Sequence, residues 1–240
     1  MDTLITRYPV AFTDAADLPV IVPALPSVGV NTYDNRWTLS RSTALHGAAL
    51  ATVSNEVDGG LSLAQASVAL RPLIQRAGDE AWMKFDGADD WIGLTGFARA
   101  QPFTVSMVAR VRSEVSKTAI RLTSSGTSVQ VVTTGGATPI TDMRATSTVK
   151  IDGADSTDGA WHVITASYNG ASSVIAFDAS TNTGTTGAGD ATVLTFGNSS
   201  VGVGNTDYDI AEIITWPHAL TAPQTQTVRN ALVAAHPTLF

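Results

Sequence analysis

From 103 to 111 the side chains alternate. Phe103, Val105, Met107, Ala109 and Val111 are apolar, Thr104, Ser106, Arg110 and the following Arg112 are polar, and only Val108 is out of step. Successive side chains of an extended chain point to opposite faces, so this stretch predicts a strand with one core face and one wet face. That is the habit of an antiparallel sheet, and such a strand needs partners. Further β runs follow at 119–122, 129–132, 191–196, 201–203 and 208–216. The clearest local signal is at 161–178, where WHVITASY and ASSVIAFD flank Asn169-Gly170, the preferred pair for a tight type I′ turn. A two-residue loop would set Ile164 opposite Ile175, His162 opposite Phe177 and Val163 opposite Ala176.

The segment AWMKFDGADDWIGL at 81–94 predicts a strand, a turn carrying Asp86, Gly87, Asp89 and Asp90, and a second strand opened by Trp91. Asp caps nearby backbone amides and Gly accepts positive φ, which is the chemistry of a chain reversal. Between 36 and 72, short apolar patches alternate with Asn, Asp-Gly-Gly and Ser, predicting short strands, turns and one helical turn. Residues 180–190, rich in Gly, Thr and Ser, read as a loop; they lack the Lys and the strand-to-helix context of a phosphate cradle. The chain closes on a helix. Thr221 and Gln224 make a capping box, Pro223 sits in the first turn, Val228, Ala231, Leu232 and Ala235 form a narrow apolar stripe, and Pro237 ends it.

Residues 1–34 show no sustained period. The Pro-rich part, 18–26, favours an extended conformation, and its apolar residues would be awkward in water. Two readings stay open: a segment packed on its own domain, or an arm on a neighbouring subunit with Pro19, Val20, Ile21, Val22 and Pro23 as the partner contact. The apolar stretch 18–30, broken by three prolines, is too short to span a bilayer. A net charge of −7 with three lysines argues against nucleic acid, whose phosphates need clustered Lys and Arg. The absence of cysteine excludes disulfides and thiolate metal sites. No basic stretch marks a secretion signal at the start.

Four segments in this order resemble the concanavalin-like lectin/glucanase superfamily, in particular its laminin-G-like domains: KFDGADDWIGL (84–94), FTVSMVARV (103–111), DGAWHVITASYNG with AFD (158–178) and YDIAEIITWPHALT (208–221). A fainter likeness at 53–74 is to versions found in bacterial and phage proteins. The resemblance spans about residues 36–240. It implies an all-β fold, an antiparallel β-sandwich of jelly-roll type occupying 35–240 with a short C-terminal helix, and it leaves the extended N-terminal arm at 1–34 unexplained. This fold hosts lectins, hydrolases and adhesive modules, so activity has to be argued from residues.

A glucanase on this fold needs two carboxylates on one strand facing the same way. The comparable strand carries Asp209 and Glu212, three apart, which regular alternation puts on opposite faces. Asp86, Asp89 and Asp90 offer oxygen ligands for calcium, with turn capping as the alternative. Trp91 after the acidic turn, together with Asp89 and Asp90, is the candidate for a sugar-stacking site, whereas Trp82, Trp161 and Trp216 read as core. The four histidines share no metal-ligand spacing, and His162 reads as a packed structural residue beside Phe177. The expectation is a non-catalytic, surface-exposed virion module of a phage (capsid decoration, fibre or tail), homo-oligomeric and anchored by its arm, with a cell-surface glycan as ligand. The alternative is a calcium-assisted bacterial lectin module outside the cell, and a glycoside hydrolase comes third.

Overall fold

The computed structural model describes residues 33–39, 46–57, 59–112, 117–122, 130–134, 140–145, 149–155, 158–197 and 207–240. Pro19 to Pro23, and the β run at 201–203, lie outside them. Sixteen strands occur among the described residues: β1 (Asn35–Thr38), β2 (Thr52–Val53), β3 (Leu63–Ala64), β4 (Leu73–Ala77), β5 (Glu80–Lys84), β6 (Trp91–Arg99), β7 (Phe103–Val111), β8 (Lys117–Arg121), β9 (Gln130–Thr134), β10 (Ile140–Arg144), β11 (Lys150–Asp152), β12 (Trp161–Tyr168), β13 (Ser173–Phe177), β14 (Ser180–Gly184), β15 (Ala191–Gly197) and β16 (Tyr208–Trp216). One helix, α1 (Ala222–Ala235), follows.

The strands make two antiparallel sheets packed face to face. The first runs β14-β13-β12-β7-β16-β5-β4, with β1 also paired to β16; the second runs β11-β10-β9-β8-β15-β6-β3-β2. The alternation in β7 does what it predicts. Phe103, Val105, Met107, Ala109 and Val111 face the core between the sheets, with Ile92, Leu94 and Phe196 from the second sheet. Val108, out of step in the sequence, belongs to a second apolar cluster on the outer face of the first sheet, with Val163, Ile214, Trp216, Val228 and Leu232. The helix covers that face, so a residue that breaks a one-sided pattern is at home in a strand buried on both sides. Each fully buried Val or Leu there contributes about 1.5–3 kcal/mol.

The acidic turn carries the chain from one sheet to the other, because β5 belongs to the first and β6 to the second. Gly87 at its tip has φ +75°, which a residue with a Cβ adopts only under strain. The helix starts as its capping box predicts: the Thr221 N–H donates to Gln224 Oε1 at 2.8 Å.

Three sequence expectations change. The hairpin pairs Ile164 with Phe177 and Ala166 with Ile175, two residues away from a two-residue loop. A type I′ turn needs positive φ at both central residues, and Asn169 sits at φ −153°. Instead Gly170–Ser172 forms a single 3₁₀ turn, held by the Asn169 N–H on Ser173 Oγ and by the Ser173 hydroxyl on Gly170 O. The slip is even, so every side chain keeps its face. Second, 180–184 is a strand, not a loop: β14 pairs along its whole length with β13. Its Ser-Thr-Asn-Thr composition gives solvated side chains on both faces, as an outermost strand tolerates.

Third, Asp209 and Glu212 share a face. Opposite them in β7, Asp209 pairs with Arg110 and Glu212 with Val108, two residues apart, and the register shifts between. Ala211 is the extra residue of a β-bulge, which resets the alternation. At the same place β16 exchanges β5 for β1 as its other neighbour.

Candidate functional site

The residues singled out at the acidic turn do converge. Asp86 Oδ1 accepts the N–H groups of Ala88, Asp89 and Asp90 at 2.8, 3.2 and 3.3 Å, and Asp90 Oδ2 accepts the Asp86 N–H at 3.1 Å. One carboxylate oxygen from each of Asp86, Asp89 and Asp90 lies within 4.8 Å of the others. Asp86 is therefore spent largely on capping the turn, and Asp90 is buried in it. Burial, then repulsion from the Asp86 and Asp89 carboxylates, pushes the Asp90 pKa up to about 6, against the Asp86 N–H. A cation held here would reverse that shift. Trp91 is half-buried, opposite Gly197 in β15, and its carbonyl accepts the Gln65 side-chain amide at 3.2 Å. Behind the turn, Arg112 donates to Phe85 O at 2.6 Å and pairs with Asp207.

Asp209 and Glu212, on one face after all, are each about 1% exposed and each committed. Arg110 donates from Nε (3.0 Å) and Nη2 to Asp209 Oδ2. Burial raises the Asp209 pKa against the pull of Arg110 and Arg112. Arg110 lies over both Trp82 and Trp161, 5.8 and 5.0 Å from their ring centres, in cation–π contact. Glu212 receives Arg36 Nε at 2.7 Å and one nitrogen of His236 at 2.8 Å, and the other His236 nitrogen lies 2.7 Å from Glu80. Burial works against the Glu212 carboxylate, but His236 and Arg36 outweigh it and hold its pKa below the usual range. His162 is packed against Phe177, 4.5 Å between ring centres, as the sequence predicts, and is also gripped by Asp178 (2.7 Å) and Asp158 (2.8 Å).

An opening that no local sequence pattern marks lies at the other lateral edge. The turn adjoins β5, whereas β14 is five strand spacings away across the first sheet, roughly 24 Å. There β14 ends the first sheet and β11 ends the second, and between them is an open cleft of about 540 Å³. Lys150, Asp152, Thr181, Asn182, Thr183 and Thr185 line it. Among the described residues each outermost strand has one side without a sheet neighbour, so backbone N–H and C=O groups add to the lining. The Asn182 amide donates across the cleft to Asp152 O at 2.6 Å, tying the edges together at one point. Threonine hydroxyls donate and accept, asparagine does both, and no aromatic residue lines the walls. Such a lining exchanges hydrogen bonds with a ligand rich in hydroxyl groups. The nearest sequence signal for it is the Thr/Asn alternation of 181–183, which reads as a loop as long as its partner strand is unknown.

No protein-family profile and no curated protein sequence matches the chain. Solved structures do match in fold. Domain 4 of an extracellular arabinanase from Geobacillus stearothermophilus, solved with arabinotriose, superposes with a TM-score of 0.56 at 13% identity, over 83% of this chain and 98% of that one. The ligand-binding domain of botulinum neurotoxin serotype D, solved with N-acetylneuraminic acid, gives 0.61 at 9% identity, over 84% of this chain and 51% of that one. Trypanosoma rangeli sialidase in complex with sialic acid gives 0.58 at 9% identity. The match covers 84% of this chain but only 33% of the sialidase. At these identities the likeness establishes the architecture, an antiparallel β-sandwich closed by a short helix.

Proposed function

We propose that this protein is a non-catalytic glycan-binding module whose ligand lies in the cleft between β11 and β14. The observation that carries the reading is the cleft itself, an open groove of about 540 Å³ walled by threonines, an asparagine and a Lys-Asp pair. Its size is in the usual range for small-ligand sites, roughly 300–1,000 Å³. That structural neighbours were solved with sugars is in keeping with it. Those sugars are of two kinds, a neutral arabinose oligomer and an acidic sialic acid, so the likeness does not choose between them.

The non-catalytic part rests on where the carboxylates are. Asp209 and Glu212 share a face, yet both are buried and held by cations. In the cleft, Asp152 is exposed, but its cross-strand neighbour Asp142 is wholly buried and bound by both ends of the Arg144 guanidinium. Neither pair offers the two accessible carboxyl groups that glycoside hydrolysis uses. The setting we propose is the surface of a larger particle, a virion, with residues 1–34 as the attachment. Its support is the proline-rich apolar run at 18–26.

A glycan array probed with the full chain and with Asn182→Ala tests the binding claim. The expected result is retention of at least one glycan class, weakened about fivefold or more in the variant, as losing one hydrogen-bonding side chain implies. Retention that is unchanged in the variant would move the site elsewhere. No retention at all would end the reading. Mass spectrometry of purified particles tests the setting, which absence of the chain would contradict.

A further inference from the structure

Four charged residues stand in a fixed pattern on the β11 side of the cleft: Lys150 and Asp152 line it, and Asp142 and Arg144 adjoin them on β10. In the β10–β11 ladder Asp142 stands opposite Asp152, and Arg144 opposite Lys150. Residues two apart on a strand share a face, so all four lie together on one side of the ladder. Like charges directly opposite are unfavourable in a sheet, and each is offset along its own strand. Arg144 donates from Nε and Nη2 to the two oxygens of Asp142 at 2.8 and 2.7 Å. Lys150 Nζ is 2.5 Å from Asp152 and 3.7 Å from Asp142. Two cations and two anions thus cancel across the group, and apart from Lys150 and Asp152 the described residues that line the cleft are uncharged.

The balance leaves no cation unclaimed. The Asp152 hydrogen bond holds the lysine ammonium more firmly protonated, and the Asp142 hydrogen bond does the same for the Arg144 guanidinium. A ligand carboxylate entering the cleft would have to detach Asp152 from Lys150 and then sit beside two aspartates, in a protein of net charge −7. A hydroxyl group meets no such obstacle. It can accept from Asn182 or a threonine and donate to Asp152 without separating the ion pair. Asp152 is the removable member: its side chain is 53% exposed, whereas that of Asp142 is buried.

Taking the cleft as the glycan site of the preceding section, we propose that it selects uncharged, hydroxyl-rich chains and turns away carboxylated ones, with Asp152 as the residue that sets the discrimination. Asp152→Asn keeps the size of the side chain and the backbone carbonyl that accepts Asn182, and it leaves Lys150 to share Asp142 with Arg144. The cleft then carries one net positive charge.

Affinity electrophoresis of the full chain in native gels cast with linear arabinan, linear galactan or polygalacturonate tests this. The wild type is expected to be retarded by a neutral polymer and not by polygalacturonate. Asp152→Asn should gain about fivefold affinity for polygalacturonate at low ionic strength, the gain fading in 0.5 M salt as screening sets in. Asp79→Asn, an exposed residue in the β4–β5 turn, changes net charge equally and should show no gain. Retardation of the wild type by polygalacturonate as strong as by the neutral polymers would overturn the selectivity while leaving glycan binding standing. So would an equal gain in both variants, or none in Asp152→Asn. Retardation by none of the polymers would count against the glycan reading itself, and this inference would fall with it.

Discussion

A neutral imidazole has one N–H, yet both ring nitrogens of His236 lie within 2.8 Å of carboxylate oxygens. Both contacts are favourable only when the ring carries two protons. Burial opposes that charge, and the carboxylates of Glu212 and Glu80 overcome it, so the His236 pKa is raised from 6.5. With Arg36, which also pairs with the less buried Glu56 at 3.5 Å, the site holds two cations and two anions that are nearly inaccessible. A raised folded pKa means that the native state binds the proton more tightly than the unfolded chain does. The stabilisation is therefore complete below pH 6.5 and is lost as pH rises through the folded pKa. His236→Gln should cost about 3 kcal/mol at pH 6, because two buried carboxylates are left with one cation. In urea unfolding the difference from wild type should shrink as pH rises from 6 through the folded His236 pKa, where the wild-type ring loses its second proton. A cost that does not change with pH would contradict a doubly protonated ring. The sequence could not announce this site. His236 and Glu80 are 156 residues apart, and only the path of the chain over the first sheet brings them together. His162 was legible because Phe177 lies on the adjoining strand of the same hairpin.

Among the elements, β16 departs most from its sequence pattern. Regular alternation separates Asp209 from Glu212, and the bulge at Ala211 reunites them. Since every neighbour of Ala211 is already paired in register without it, removing Ala211 should leave a regular strand with the same residues facing inward. We expect the deletion to fold, at a cost of about 1–2 kcal/mol in thermal or urea unfolding. Deleting Ser106 from the neighbouring β7 should abolish cooperative unfolding, because no bulge absorbs the change and half of a central strand turns inside out. If the Ala211 deletion is as damaging, the bulge is required for the sheet and is not merely accommodated by it. Bulges leave little mark in a sequence, since Ala211 is apolar like the preceding Ile210. The strands β7, β12 and β16 were legible from their apolar runs, and α1 from its capping box. By contrast, β14 was not: threonine and asparagine on an outermost strand look the same as threonine and asparagine in a loop until a partner strand is known.

For the molecule as a whole, the two sheets place the acidic turn and the β11–β14 cleft at opposite lateral edges. The turn is a crossing between sheets whose aspartates cap backbone amides, and the sequence showed it plainly because Asp-Gly chemistry is local. The cleft is assembled from residues about 30 apart in two strands that belong to different sheets, and no local pattern encodes it. Chemical-shift mapping by NMR on the full chain, titrated with arabinotriose or the best-retained array glycan, tests the central claim most directly. The account expects shift changes concentrated on the amides of 150–152 and 181–185, with those of 86–91 unmoved. Changes centred on Asp86, Asp89, Asp90 and Trp91 instead, with the cleft silent, would contradict it.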